Sequence, residues 1–115
     1  MEERININVS ATEYDKTSKE IKRVLGRMEE MVHGQEDFLI TDSEFAFGWH
    51  FFVASVNREM VIKLADMMGD EFNKYKGKGL DKKFTSLLSE KMDGKDVKIK
   101  FALKEEMESS KFGIF

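Results

Sequence analysis

The first strand of the chain is visible as a strict alternation of polar and apolar residues near the amino terminus. Over residues 4–9 the apolar positions are Ile5, Ile7 and Val9, and arginine or asparagine occupies the positions between them. A strand with one buried face has this period of two. The pattern therefore predicts a strand at 4–9 with one face in the core.

Helical spacing replaces the alternation after residue 10. Ser10 and Glu13 have the spacing of a capping box, and Gly34 is a typical residue at which a helix ends. Apolar residues recur between them at helical intervals: Tyr14, Ile21, Val24, Leu25, Met28, Met31 and Val32. The sequence therefore predicts a long amphipathic helix that ends at Gly34.

A hairpin is predicted next, from two runs rich in strand-forming residues. Residues 37–41 (DFLIT) fit a short strand, 42–44 a turn, and 45–55 a longer strand that pairs back on the first. Successive side chains of the longer strand point to opposite faces of the sheet. The predicted core face is Phe45, Phe47, Trp49, Phe51 and Val53, and the other face is Ala46, Gly48, His50, Phe52 and Ala54.

Two hypotheses remain open for the face that carries His50 and Phe52. If this face is open to solvent, the two side chains lie among polar residues of the first and last strands, namely Arg4, Asn6, Asn8, Lys98 and Lys100. If it faces a helix, its small residues allow close packing, and His50 is a hydrogen-bonded, partly buried histidine. Under the first hypothesis these side chains are candidate contacts for a partner.

The second half of the chain predicts two more helices and a strand. Asn57 is a candidate N-cap for a helix that ends near the glycines at 77 and 79, although Gly69 in its middle costs about 1 kcal/mol. Its apolar stripe is Val61, Leu64, Met68, Phe72 and Tyr75. Asp81 is a candidate cap for a shorter helix closed by Gly94, with Phe84, Leu87, Leu88 and Met92 facing inward. A final strand alternates Val97, Ile99, Phe101 and Leu103 with Lys98, Lys100, Ala102 and Lys104.

The order of these elements, β-α-β-β-α-α-β, defines the expected fold class. It predicts a single two-layer α+β domain over residues 1–104, with a mostly antiparallel sheet of about four strands packed against helices. Residues 105–115 form an acidic tail that ends on Phe112, Ile114 and Phe115. We expect this apolar end to add as a strand to a sheet edge, of this chain or of a partner.

Composition narrows the class of protein. The 115 residues include no cysteine, which excludes disulfides and thiolate-bound metals, and the longest apolar run, residues 45–56, is too short to span a membrane. The acidic amino terminus, MEERININV, lacks the features of a secretory signal. We therefore expect a cytoplasmic protein with no membrane association.

The net charge of −3 is unevenly distributed along the chain. Residues 1–72 carry 8 basic and 15 acidic residues, whereas residues 73–104 carry 10 basic and 4 acidic ones. The basic part includes a lysine-rich loop around one tyrosine: Lys74, Tyr75, Lys76, Lys78, Lys82 and Lys83. This loop is a candidate phosphate or nucleic-acid contact, but it matches neither the Walker loop nor the dinucleotide fingerprint, and a solvated connection between helices is the simpler interpretation.

No set of residues indicates catalysis. His33 lies where a helix should end, and a cation is favoured there by the helix dipole alone. His50 has no serine or acid at a fixed spacing, and Asp66 and Asp70 have Lys63 as a neighbour. We expect no enzyme, no cofactor and no metal, and keep His50 as an acid or base only as a remote hypothesis.

The segment FLITDSEFAFGWHFF, preceded by the long helix, resembles the helix, strand and Gly-Trp-x-Phe-Phe strand of some small bacterial toxin-immunity proteins. The resemblance covers less than half of the chain, and it implies an inhibitor of bacterial or mobile-element origin that binds another protein without catalysis. We therefore expect a small protein-binding module, with a homodimer compatible with the exposed sheet edges. The expected contact residues are His50, Phe52, Lys98, Lys100, Phe112, Ile114 and Phe115. The alternative is a nucleic-acid or phosphate binder that uses the loop 74–83 with Lys98 and Lys100.

Overall fold

A computed structural model describes residues 3–35, 37–94 and 98–104. Over these ranges the chain forms five strands and four helices. In chain order they are β1 (Arg4–Ala11), α1 (Tyr14–Met31), β2 (Phe38–Ile40), β3 (Glu44–Ala46), β4 (Trp49–Asn57), α2 (Arg58–Met68), α3 (Asp70–Asn73), α4 (Gly79–Met92) and β5 (Ile99–Leu103). The expected tail, including Phe112, Ile114 and Phe115, lies outside the described residues, as does Val97.

The sheet is built around β1 and β4. β1 pairs antiparallel with β4 on one side and with β5 on the other. The remaining edge of β4 pairs antiparallel with β2 and with β3, one after the other. The order β2-β4-β1-β5 makes β1 and β2 run in the same direction with β4 between them, which is the split β-α-β arrangement. The predicted α+β fold with a mostly antiparallel sheet is confirmed.

The core lies between one face of this sheet and the helices. Ile5, Ile7 and Val9 of β1 are buried, as their alternation predicts. The helices contribute a set of buried apolar side chains at helical spacing: Ile21, Leu25, Met28, Met60, Val61, Leu64, Phe72, Phe84, Leu87, Leu88 and Met92. Within the described ranges no helix covers the opposite side of the sheet, which we call the open face.

The long strand predicted at 45–55 is divided by a tight turn. Phe47 and Gly48 join β3 to β4, and both have positive φ, 54° and 82°. A two-residue hairpin whose central residues both have positive φ follows the right-handed twist of the strands, and glycine adopts this conformation without steric cost. The split raises the strand count from the four expected to five.

The predicted assignment of the two faces of β4 is wrong, and the pairing with β1 explains why. Ile5, Ile7 and Val9 lie opposite Val56, Ala54 and Phe52, and residues opposite each other share a face of the sheet. Phe52 is therefore buried, with 4% of its surface exposed, whereas Phe51 is 41% exposed. The side of β4 that was expected in the core belongs to the open face.

Several predicted helix ends are also corrected. Ser10 belongs to β1, and the N-cap of α1 is Glu13, which makes no capping side-chain hydrogen bond. Gly69, with φ of 59°, ends α2, so the predicted second helix is two helices. Asn57 does cap α2, since its Oδ1 accepts from the Glu59 amide at 3.0 Å. Asp81 does not cap α4, which begins two residues earlier.

Asp81 instead joins two helices. Its carboxylate lies 2.7 Å from Nη2 of Arg58, the first residue of α2. This ion pair connects the start of α2 to the first turn of α4 across 23 residues of chain. No described helix is both long and apolar enough to cross a bilayer.

Candidate functional site

Two aromatic side chains lie side by side on the open face. Trp49 and Phe51 are two residues apart on β4 and therefore point to the same side of the sheet. Trp49 is half-buried, and Phe51 is exposed. Ser10 of β1 lies opposite Phe51 on one side and Glu44 of β3 lies opposite it on the other. The aromatic rings thus lie at the hairpin end of β4 and have small or polar neighbours.

Lysines line the β5 side of the same face. Lys100 lies opposite Ser10, and its Nζ is 5.1 Å from the centroid of the Trp49 ring, a cation–π distance. Lys98 shares the direction of Lys100 because it is two residues away, and its carbonyl accepts from the Thr12 amide at 3.2 Å. Both lysines are exposed. Lys98 and Lys100 therefore lie on the solvent-facing side of the sheet, on the face opposite to that of His50 and Phe52.

An open depression lies beside the aromatic rings. Its walls include Asn8, Phe51 and Val53 of the two central strands, and Lys104, just after β5, borders it on one side. Asp42 and Glu44 border it on the opposite side. The open face is therefore electrically polarised, with carboxylates along the β3 edge and lysines along the β5 edge.

The lysine-rich loop borders the same β5 edge. Lys76, Gly77 and Lys82 form one shallow cavity with Phe101 and Ala102 of β5. Lys76 and Lys78 are exposed. The loop and the last strand, which the alternative nucleic-acid hypothesis combines, are thus neighbours in space.

Two lysines of the loop have structural roles. Nζ of Lys83 donates to the carbonyl oxygens of Asn73 and Tyr75 at 2.9 and 2.8 Å and so holds the loop against α4. Nζ of Lys74 is 3.1 Å from the carboxylate of Glu71. These bonds leave Lys76 and Lys78 as the better candidates for contact with an anion.

Tyr75 is fixed by a hydrogen bond rather than presented to a ligand. Its hydroxyl donates to the carboxylate of Glu90. This bond is the main reason that the pKa of Tyr75 is raised to about 12, and partial burial adds to the effect. The residue therefore closes the loop against α4 and stays protonated at neutral pH.

His50 and Phe52 lie on the helix side, so the first of the two hypotheses, exposure among amides and lysines, is wrong. The Phe52 ring packs edge-on against Tyr14 of α1, with centroids 5.0 Å apart. The half-buried His50 ring is 4.7 Å from the Phe45 ring. The Ser43 hydroxyl lies 3.2 Å from Nδ1 of His50 and ties the β2–β3 connection to β4. The second hypothesis, a partly buried and hydrogen-bonded histidine, describes what is observed.

A second exposed aromatic surface was not anticipated. Phe47, at the tip of the β3–β4 hairpin, is 97% exposed, and Phe45 is 64% exposed. Leu39 of β2 is exposed as well, but it lies opposite Ser55 and therefore belongs to the open face. Gly48 is the signal in the sequence that the apolar run 45–56 turns here.

In the described part of the chain, no group of three or more His, Asp or Glu side chains is placed to bind a metal ion. The absence of an enzymatic activity stays a prediction. Comparisons with protein-family models, with curated proteins and with solved structures found no match. The site must therefore be interpreted from its own geometry.

Proposed function

We propose that this protein binds single-stranded nucleic acid on the open face of its sheet. The observation that carries the proposal is the pair Trp49 and Phe51, which lie on the same face of β4 next to Lys100, with Phe51 exposed and Trp49 half-buried. Sheet-based binders of single strands stack two or three bases on such rings. The sequence alone predicts Phe52 as the single aromatic ring on a solvent-facing sheet, and one ring is fewer than such binders use for stacking.

The charge distribution supports a definite orientation. Bases would stack on β4, where Trp49 and Phe51 lie, and phosphates would contact the β5 side, where Lys98, Lys100 and Lys104 lie. The carboxylates of Asp42 and Glu44 disfavour phosphates on the opposite side. Lys76 and Lys78 extend the basic edge beyond the sheet. An acidic protein can bind a polyanion when its lysines are concentrated in this way.

The test is an anisotropy titration of labelled single-stranded DNA and RNA of mixed sequence, with a duplex for comparison. We expect single strands to bind better than the duplex, since only unpaired bases present a free ring face. Phe51→Ala should weaken binding at least fivefold, from a stacking contribution of about 1–3 kcal/mol. The double variant Ile62→Ala/Met67→Ala is a matched control, because it removes two exposed apolar side chains from α2. No binding by the wild type at low salt would overturn the proposal.

As a second candidate function we propose the predicted protein-binding module, with the β3–β4 hairpin as its contact surface. It is favoured by one observation, the almost complete exposure of Phe47 at the hairpin tip. Exposed aromatic residues that a partner can enclose are typical binding hot spots. An inhibitor or immunity-type role and a homodimer belong to this candidate.

Phe47→Asn separates the two candidates. Asparagine suits the left-handed turn, so the hairpin is kept while its apolar tip is lost. Loss of self-association in sedimentation, or of a co-purified partner, would support protein binding through the tip. If Phe47→Asn changes neither, while Phe51→Ala abolishes nucleic-acid binding, the second candidate is excluded.

A further inference from the structure

A carboxylate of β3 lies beside one of the two aromatic rings on the open face. Glu44 is directly opposite Phe51 in the antiparallel pairing of β3 with β4, so both side chains point to the same side of the sheet, and both are exposed. Side chains at such positions have Cβ atoms about 5 Å apart. A flat ring stacked on Phe51 therefore has one edge within reach of the Glu44 carboxylate.

The second ring has no such neighbour on β3. The residue opposite Trp49 is Ala46, whose methyl group makes no hydrogen bond. Stacking holds a base on Trp49 whatever its identity, because every base has a ring face. The two stacking positions of the proposed site thus differ in chemistry, and only the one on Phe51 has a polar group at its edge.

The depression around Phe51 fixes the direction in which a nucleotide would lie. Asp42 and Glu44 border it on one side, and Lys104 borders it on the other. β3 and β5 are three strand spacings apart, about 14 Å, with β4 and β1 between them. A nucleotide whose phosphate contacts the lysines of the β5 side therefore turns the edge of its base that is farthest from the phosphate towards Glu44.

The bases differ in what they present on that edge, which is the Watson–Crick edge. An ionised carboxylate only accepts hydrogen bonds. Guanine presents two adjacent donors, N1–H and the N2 amino group, which match the two oxygens of one carboxylate in a charge-assisted, bidentate pair. Adenine and cytosine present one amino group beside an acceptor nitrogen. Thymine and uracil present N3–H between two carbonyl oxygens, which repel a carboxylate.

We propose that the stacking position on Phe51 selects guanine and that Glu44 is the residue that recognises it. This inference rests on the proposed function, because it names the base that the same site prefers. The two carboxylate oxygens of Glu44 accept from N1 and N2 of the base, while Phe51 supports its ring. The preference concerns a single base of the strand, since Ala46 takes the corresponding place beside Trp49.

The first test is a low-salt anisotropy titration of short oligothymidylates that differ at one central base. Replacing this thymine by guanine should tighten binding by the wild type at least about fivefold, as expected of one bidentate contact, with adenine and cytosine between the two. Inosine, which lacks the N2 amino group of guanine, should lose most of this gain. The comparison changes only the ligand and is therefore independent of how any variant folds. Equal affinity for guanine, inosine and thymine would overturn the inference.

Glu44→Gln tests the residue itself. It replaces one acceptor oxygen by an amino donor, so the affinities for the guanine and thymine strands should differ by less than about twofold. Affinity for the all-thymine strand should not fall, because the variant carries one negative charge less. Glu59→Gln removes the same charge from an exposed position on α2 and should leave the guanine preference unchanged. A full guanine preference in Glu44→Gln would overturn the role of Glu44.

The same titrations distinguish failure of this inference from failure of the proposed function. If every strand binds equally and Phe51→Ala weakens them all, the inference is overturned and the proposed function stands. If no strand binds the wild type at low salt, both are overturned.

Discussion

Val9 and Phe52 lie opposite each other in the antiparallel pairing of β1 with β4, and both side chains are buried. This pairing decides which face of β4 packs on the helices. Because side chains alternate along a strand, it also puts Trp49 and Phe51 on the outside. The candidate site exists as a consequence of this single register.

Adjacent phenylalanines should therefore respond very differently to truncation. Phe52→Ala should lower the free energy of unfolding by about 3–5 kcal/mol, because it leaves a cavity beneath Tyr14. Phe51→Ala, one residue away on the exposed face, should lower it by less than about 1 kcal/mol. Urea denaturation of both variants provides the measurement. A larger loss for Phe51→Ala would contradict the register.

The hairpin turn should be stabilised by asparagine. Phe47 has a φ of 54°, which costs a non-glycine residue about 1 kcal/mol or more, and asparagine tolerates this conformation best. We expect Phe47→Asn to raise the midpoint of thermal unfolding by a few degrees. Gly48→Ala, at a φ of 82°, should lower it. If Phe47→Asn lowered the midpoint instead, the phenylalanine ring would have to make a stabilising contact. Its 97% exposure contradicts such a contact.

The lysines of β5 should control the salt dependence of binding. Three phosphate contacts to a single strand predict that log K falls with log salt with a slope of about −2. Lys98→Gln/Lys100→Gln should weaken binding at low salt and make this slope shallower. Lys19→Gln/Lys22→Gln on α1 removes the same charge from an exposed helix face and should have a smaller effect. Equal effects of the two pairs would indicate nonspecific attraction rather than a site.

The bond between Tyr75 and Glu90 should appear in the alkaline stability of the fold. The folded-state pKa of about 12 exceeds the ordinary value of 10.0, so the protonated tyrosine is favoured by folding. Its contribution is complete below pH 10 and is lost as the pH rises towards 12. Tyr75→Phe should therefore be less stable than the wild type at pH 8, and the difference should shrink between pH 10 and 12. A constant difference over that range would contradict the hydrogen bond to Glu90.

The limits of prediction from this sequence have identifiable physical causes. The alternation along β1 identifies its buried face without ambiguity, because every second residue is polar. On β4 both faces are apolar near Trp49 and Phe51, so the period alone does not say which face is buried. The informative end of β4 is Ser55 and Asn57, whose polarity marks the open face. Extending the strand to Asn57 would have given the correct assignment.

The helices show a second limit. The apolar stripe continues through Gly69 to Phe72, so the periodicity predicts one helix, and only the positive φ of Gly69 divides it. For the site, the basic character of β5 could be read from the alternating lysines. The approach of Lys76 and Lys82 to Ala102 could not, because it depends on how α4 packs on β5.

The most direct measurement of the central claim is the fluorescence of Trp49 during titration with a single-stranded oligonucleotide at low salt. The account predicts saturable quenching, because a base stacks on the ring and displaces Lys100 from it. The same titration of Phe51→Ala should saturate at clearly higher concentration, and added salt should reverse the quenching. Unchanged fluorescence of the wild type, at concentrations where the oligonucleotide is in large excess, would contradict nucleic-acid binding on the open face.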